Sequence, residues 1–138
     1  MKKILSLTLC FFCLLSILNF SACASKEDEL LFEIIVENLE SFEKPSTVRI
    51  HAGKIIKNDE KSFVAIIIMS YSNISENKAT QRYGCFHAVY VFEEKTKHLF
   101  DYTRLYGEFE NTVSLFVNNE FNVENINKKL EKYCKNYE

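Results

Sequence analysis

An α+β fold is predicted by three features of the sequence. Apolar residues recur at three- and four-residue steps from Leu30 to Phe42. The period then changes to two and stays there through most of residues 46–104. A helical period returns from Val123 to Tyr137. Strands joined by hairpin-length links form antiparallel sheets. Helices flanking such a run place the chain in the α+β class: an N-terminal helix, an antiparallel three- to four-stranded sheet and a C-terminal helix, with at least one helix covering a sheet face.

The first helix is predicted over 26–43. Ser25-Lys26-Glu27-Asp28 reads as a capping box, in which the Ser25 hydroxyl accepts a free helix N–H and Asp28 reaches back to the Ser25 amide. Leu30, Leu31, Ile34, Ile35, Leu39 and Phe42 share one face, with Glu33, Glu37, Glu40 and Glu43 opposite. The acidic first turn suits the positive end of the helix dipole. Pro45 ends the helix, because the residue before a proline avoids the α region.

A strand follows, with Val48, Ile50 and Ala52 alternating with Arg49 and His51, and Gly53 expected at a bulge before Ile55 and Ile56. Residues 58–61 form a polar turn. The strand 62–72 is apolar on both faces from Phe63 to Met69, which marks a central position. Residues 72–80 read as a polar loop. The strand 82–92 sets Tyr83, Cys85, His87, Val89 and Val91 on one face, and Gly84, Phe86, Ala88, Tyr90 and Phe92 on the other. Residues 93–97 form a charged hairpin turn, and 98–104 a short fourth strand. The stretch 106–121 is ambiguous, since the apolar run 112–117 fits a strand or short helix equally. In the last helix Val123, Ile126, Leu130, Tyr133, Cys134 and Tyr137 share a face, Asn122 is the N-cap, and Lys128, Lys129, Lys132 and Lys135 suit the later, negative end. A long N-terminal helix followed by an antiparallel meander resembles the cystatin-like roll, in which a curled sheet wraps a helix; the likeness is one of element order.

Ahead of this body stands a targeting segment. Lys2 and Lys3, the apolar stretch 4–20, and small residues at Ser21, Ala22 and Ala24 follow the order of a secretory signal peptide. Its polar interruptions and 17-residue length argue against an uncleaved span. The division expected is a signal over 1–22 and one α+β domain over 23–138. Phe20-Ser21-Ala22-Cys23 resembles the lipobox of bacterial lipoproteins, although Phe20 stands where that family usually has Leu. The resemblance implies that a diacylglyceryl group is joined to the Cys23 thiol and that a peptidase cuts before it. Residues 45–50, a Pro-started strand after a helix, resemble small exported proteins of AT-rich bacteria that have no assigned activity, and 14 Lys against 3 Arg fits such a genome. Cleavage after Ala24, giving a secreted form, is the alternative.

These features set the expected location and partners. A lipidated chain would sit on the extracytoplasmic face of a bacterial membrane, held by acyl chains on Cys23. Cleavage before Cys23 removes Lys2 and Lys3, leaving 15 basic against 19 acidic side chains on 116 residues. A mildly acidic body has no electrostatic attraction to anionic lipid. The whole chain, at net charge −2, lacks the basic excess of a nucleic-acid binder.

No residue is assigned a catalytic, cofactor-binding or metal-ligating role. His51, His87 and His98 lie on separate strands without metal-ligand spacing. Cys85 and His87 share a strand face, so a nucleophile–base pair is conceivable, but no nucleophile elbow or catalytic-cysteine signature surrounds them. The acidic residues crowd the helix face and turns; Asp101, on a strand, has no evident partner for two-carboxylate chemistry. Tyr71, Tyr83, Tyr90, Tyr102 and Tyr106 either pack the sheet or form a binding patch. Asn73-Ile74-Ser75 matches a glycosylation sequon, which is accidental in a lipobox protein.

Five cysteines are present. Cys10 and Cys13 would leave with the signal and Cys23 would carry lipid. Cys85 and Cys134 remain as a candidate disulfide outside the reducing cytosol, closing a loop worth roughly 4 kcal/mol in the chain-entropy model; two buried free thiols are the other reading. The function expected is a non-enzymatic binding module for a protein or small ligand. The alternatives are a small extracytoplasmic hydrolase and an inhibitor or immunity-type protein.

Overall fold

The computed structural model describes residues 25–101 and 119–137. The signal segment, Cys23, Tyr102, Tyr106, the end of the expected fourth strand and most of the ambiguous stretch lie outside the described residues. The architecture is α+β: helix α1 (Lys26–Glu37), strands β1 (Arg49–Asn58), β2 (Ser62–Ser75), β3 (Lys78–Val91) and β4 (Thr96–Asp101), and helix α2 (Val123–Tyr137). The four strands form an antiparallel meander in the order β1-β2-β3-β4. Both helices lie against one face, α1 over β3 and β4, and α2 beside β1. The expected order of a helix followed by an antiparallel meander is present, with two helices on one face of the sheet. Among the described residues no helix is long and apolar enough to cross a membrane.

Helix α1 starts as its cap predicts: the Asp28 N–H donates to Ser25 Oγ at 3.1 Å. The second half of the capping box is not made. The Asp28 side chain is buried and accepts from the Asn122 N–H at 3.1 Å, tying the start of α2 to the start of α1. The helix also ends six residues before the expected 43. The Asn38 side-chain amide donates to Ile34 O at 2.8 Å and to Lys97 O on β4 at 3.2 Å. Such local bonding offers the backbone an alternative to the helix. A 3₁₀ turn over Leu39–Ser41 follows and still delivers Leu39 into the core.

In β1 the register slips between Ile50 and Ala52 and between Ile55 and Lys57. The extra residues are His51 and Ile56, not the expected Gly53. One inserted residue reverses which face the following side chains occupy. Val48 and Ile50 therefore enter the core, whereas Ala52 pairs with Ile68 on the opposite face. Gly53 pairs regularly with Ile67 and serves a different purpose. A Cβ there would lie 2.6 Å from the Phe121 ring, so the missing side chain is the seat of that ring.

Strand β2 is central, as its two apolar faces predict. Phe63, Ala65, Ile67 and Met69 are fully buried beneath the helices with Leu31, Ile34, Ile35, Ile126 and Leu130. Residues 72–80 are not a loop. β2 and β3 run on as a two-stranded ribbon to a tight turn at Glu76 and Asn77, both at positive φ (50° and 65°). Two consecutive left-handed residues make the turn whose twist matches a hairpin. The alternation was invisible there because residues 76–82 are exposed.

The free edge of β1 is partly occupied. Asn127 of α2 accepts from Ile50 N at 2.8 Å and donates to Ile50 O at 2.9 Å. Gly53 N donates to Asn119 Oδ1, Glu120 N donates to Gly53 O, and Ile55 N donates to Glu120 Oε2. Asn127 and the residues 119–120 thus satisfy part of the β1 edge on which another chain could otherwise pair.

Candidate functional site

The described residues bound an open cavity of about 320 Å³ between the end of α1 and the sheet, lined by Ser41, Phe42, Glu43, Tyr71, Asn73, Phe86, Leu99 and Asp101. Its walls follow from the early end of α1. With the helix stopped at Asn38, the chain turns through Leu39–Ser41 and leaves Phe42 extended (φ −95°, ψ 141°) above the sheet. Glu43 then reaches β2, where its Oε2 accepts from the Ile74 N–H at 2.6 Å. Thr47 Oγ1 accepts from the Ser72 N–H at 2.9 Å. β1 pairs β2 only as far as Ser70, so these two side chains satisfy the β2 edge beyond it.

Three rings form the apolar wall. Phe42 and Tyr71 meet edge to face at 5.1 Å, and Phe86 lies 5.9 Å from each. Tyr71 pairs with Arg82 across the sheet and Phe86 with Ile67, four residue pairs apart along the strands. Gly84 bridges the gap: a Cβ there would lie 2.7 Å from Phe86 Cε2. The ring of Phe86 lies over the bare backbone of Gly84 and so reaches Tyr71. Substituting Gly84 by Ala is therefore expected to push the Phe86 ring away, cost about 1–3 kcal/mol and alter the wall. Denaturant unfolding with ring-proton NMR of Phe42 and Tyr71 checks this, and unchanged ring shifts would contradict the packing account.

The polar side of the cavity carries Ser41, Asn73 and two carboxylates, Glu43 and Asp101; none of the described lining residues is basic. Burial, with the Asp101 charge adding to it and Arg82 opposing, pushes the Tyr71 phenol above its ordinary value. Tyr71 therefore stays a protonated hydrogen-bond donor at neutral pH. Among the described residues the arrangement offers aromatic surface, hydrogen-bonding groups and negative charge.

The residues singled out in the sequence fall elsewhere. Cys85 and His87 share the face of the sheet opposite the helices, as expected from their spacing. Burial, then the Asp101 charge, pushes the Cys85 thiol up, and burial pushes the His87 imidazole down. A thiolate–imidazolium pair needs the reverse of both shifts. His51 contacts Ser70 Oγ at 2.7 Å, and His98 stacks on Phe100 at 5.6 Å. No group of three His, Cys, Asp or Glu side chains able to hold a metal ion occurs among the described residues. Tyr71 and Tyr90 pack against the core on the helix side, while Tyr83 stands 63% exposed on the other, so these three described tyrosines do not form one patch.

Of the two readings for Cys85 and Cys134, the candidate disulfide is not formed: both cysteines are buried and neither is part of a disulfide. Cys134 belongs to the core under the helices and donates to Pro45 O, whereas Cys85 pairs with Ile68 on the far face. The sheet itself lies between them. Of the cavity residues, sequence reasoning singled out Asp101 and Tyr71 but had no signal that the end of α1 would bring Phe42 and Glu43 to them. No family model matches this chain, and neither a curated protein nor a solved structure matches it.

Proposed function

We propose that this chain is an exported lipoprotein, held at the extracytoplasmic face of a bacterial membrane by acyl chains on Cys23. Its body is then a non-enzymatic module that binds a ligand. The observation supporting the binding role is the open cavity of about 320 Å³ with its three-ring wall and polar rim. It falls at the lower end of small-molecule pocket sizes, and its lining sets aromatic rings beside a larger polar and acidic surface. The Cys85–His87 pair, with its thiol raised and its imidazole lowered, favours binding over hydrolysis. The anchor reading rests on Phe20-Ser21-Ala22-Cys23 and the segment before it.

Two measurements test the reading. Mass spectrometry of the mature protein should find a diacylglyceryl group on Cys23, and Cys23→Ser should release the protein from the membrane fraction; an N-terminus at Ser25 would refute the anchor. NMR screening of the soluble body with a charge-diverse fragment set should give saturable shifts at Phe42, Tyr71 and Phe86. Absence of any cavity hit across the set would refute the binding role.

A further inference from the structure

We infer that the cavity is one half of a peptide-binding site: an extended segment of a partner protein adds to the outer edge of β4 and lowers alternate side chains toward the rings of Phe42, Tyr71 and Phe86. This deepens the binding reading above and rests on it. Hydrogen-bond alternation locates the edge. Successive residues of an antiparallel strand direct their backbone groups to one side and then the other. On β1 the Gly53 N–H and C=O both point outward, to Asn119 Oδ1 and to Glu120 N. Gly53, Ile67, Phe86 and Asp101 form one row across the sheet. Along that row Ile67 and Phe86 therefore bond each other, and Asp101 aims its backbone groups outward from β4. Lys97 and Leu99 lie in the same phase of the strand and do likewise. An observed bond agrees: Lys97 O accepts from the Asn38 side chain at 3.2 Å.

Asn38 covers this edge at Lys97. Next along the strand, the Leu99 N–H and C=O meet no partner among the described residues. The opposite edge differs, since Asn127, Asn119 and Glu120 bond to β1. A lysine on an edge strand can block pairing, but Lys97 is turned away from that task. Its ammonium pairs with Glu37 at 3.1 Å and lies over the Tyr90 ring at 4.8 Å. An extended backbone is the chemistry that matches an open edge: main-chain bonds give affinity, and pockets for alternate side chains give specificity. A peptide residue opposite Leu99 exchanges two N–H···O bonds with it. Cross-strand neighbours share a face of the sheet. Leu99 and Asp101 line the cavity, so the peptide residues opposite them, two positions apart, stand on the cavity side. Recognition then runs through backbone groups and aromatic rings and asks no charge of the ligand.

The probe is a positional-scanning library of soluble hexapeptides with threonine at every second position, screened against the purified mature protein through the ring resonances of Phe42, Tyr71 and Phe86. At least one member is expected to bind saturably and to slow hydrogen exchange of the Leu99 amide. Backbone N-methylation of that peptide on one alternating set of nitrogens should weaken binding by about ten-fold or more, and on the other set should leave it unchanged. Leu99→Pro removes an outward N–H that the sheet does not use, so β4 is retained, and the variant should lose the peptide to the same extent. If that variant misfolds, the methylation comparison, made on the unaltered protein, decides. Equal effects of the two methylation sets, or no saturable binder in the library, would overturn the peptide assignment. Fragment binding at the three rings would then leave the binding role standing, whereas failure of both screens would remove both readings. A dimer of the unaltered protein that Leu99→Pro dissolves would assign the edge to a second copy of this chain and overturn the partner peptide.

Discussion

Truncating Phe121 to alanine is expected to lower stability by about 3–5 kcal/mol, the range for removing a large aromatic from a well-packed core. Phe121 is 5% exposed and meets Phe63 edge to face at 6.4 Å. Its ring fills the space left by Gly53, where a Cβ would come within 2.6 Å of Phe121 Cδ2, 2.8 Å of Cε2 and 2.9 Å of Ile67 Cγ2. The ring also anchors the segment that meets the β1 edge, through Glu120 N to Gly53 O. Gly53→Ala by itself should cost about 1–3 kcal/mol through overpacking. In the Phe121→Ala background most of that cost should vanish, because the added methyl then enters the emptied space. Residues in contact couple in this way, whereas distant ones add. Urea unfolding followed by circular dichroism suits a chain without Trp. Strict additivity of the two substitutions would refute the seat-and-ring account.

The second large effect is expected at Asp28. Its carboxylate is 5% exposed and accepts the Asn122 N–H, a donor at the start of α2. A hydrogen bond to a charged group contributes about 1.5–3 kcal/mol, and its loss leaves a backbone donor without a partner. Asp28→Leu should therefore cost about 2–3 kcal/mol by the same reasoning, with the helix–helix contact loosened. Asp28→Asn keeps an acceptor oxygen and should recover more than half of the loss. Equal destabilisation by Leu and Asn in urea unfolding would show that the acceptor is not what matters. The Ser25 cap stays intact in both variants, since it uses the Asp28 backbone N–H.

Both effects arise from contacts between distant parts of the chain, which explains why they were hard to read from sequence. Asp28 and Asn122 are 94 positions apart. A capping-box pattern correctly predicts the Ser25 bond, which is local, but cannot tell whether the third residue turns back to its own helix or outward to another. Gly53 presented the same difficulty. A glycine inside a strand signals a bulge or a close approach, and only the position of Phe121 decides between them.

Local periodicity by itself determined the α+β class, the central place of β2, the two faces of β3 and the Asn122 cap, whose Oδ1 accepts from Asn125 N at 3.1 Å. These follow from spacings of two and of three to four residues, which survive into any fold the chain adopts. Tertiary structure alone decided where α1 stops, which residues of β1 bulge, that Cys85 and Cys134 lie on opposite sides of the sheet, and that Phe42, Tyr71, Phe86, Glu43 and Asp101 share one cavity. The physical reason is common to all of them. Each depends on a pairing, such as Asn38 with Lys97 or Phe86 with the bare backbone of Gly84, whose partners meet only once the sheet is assembled.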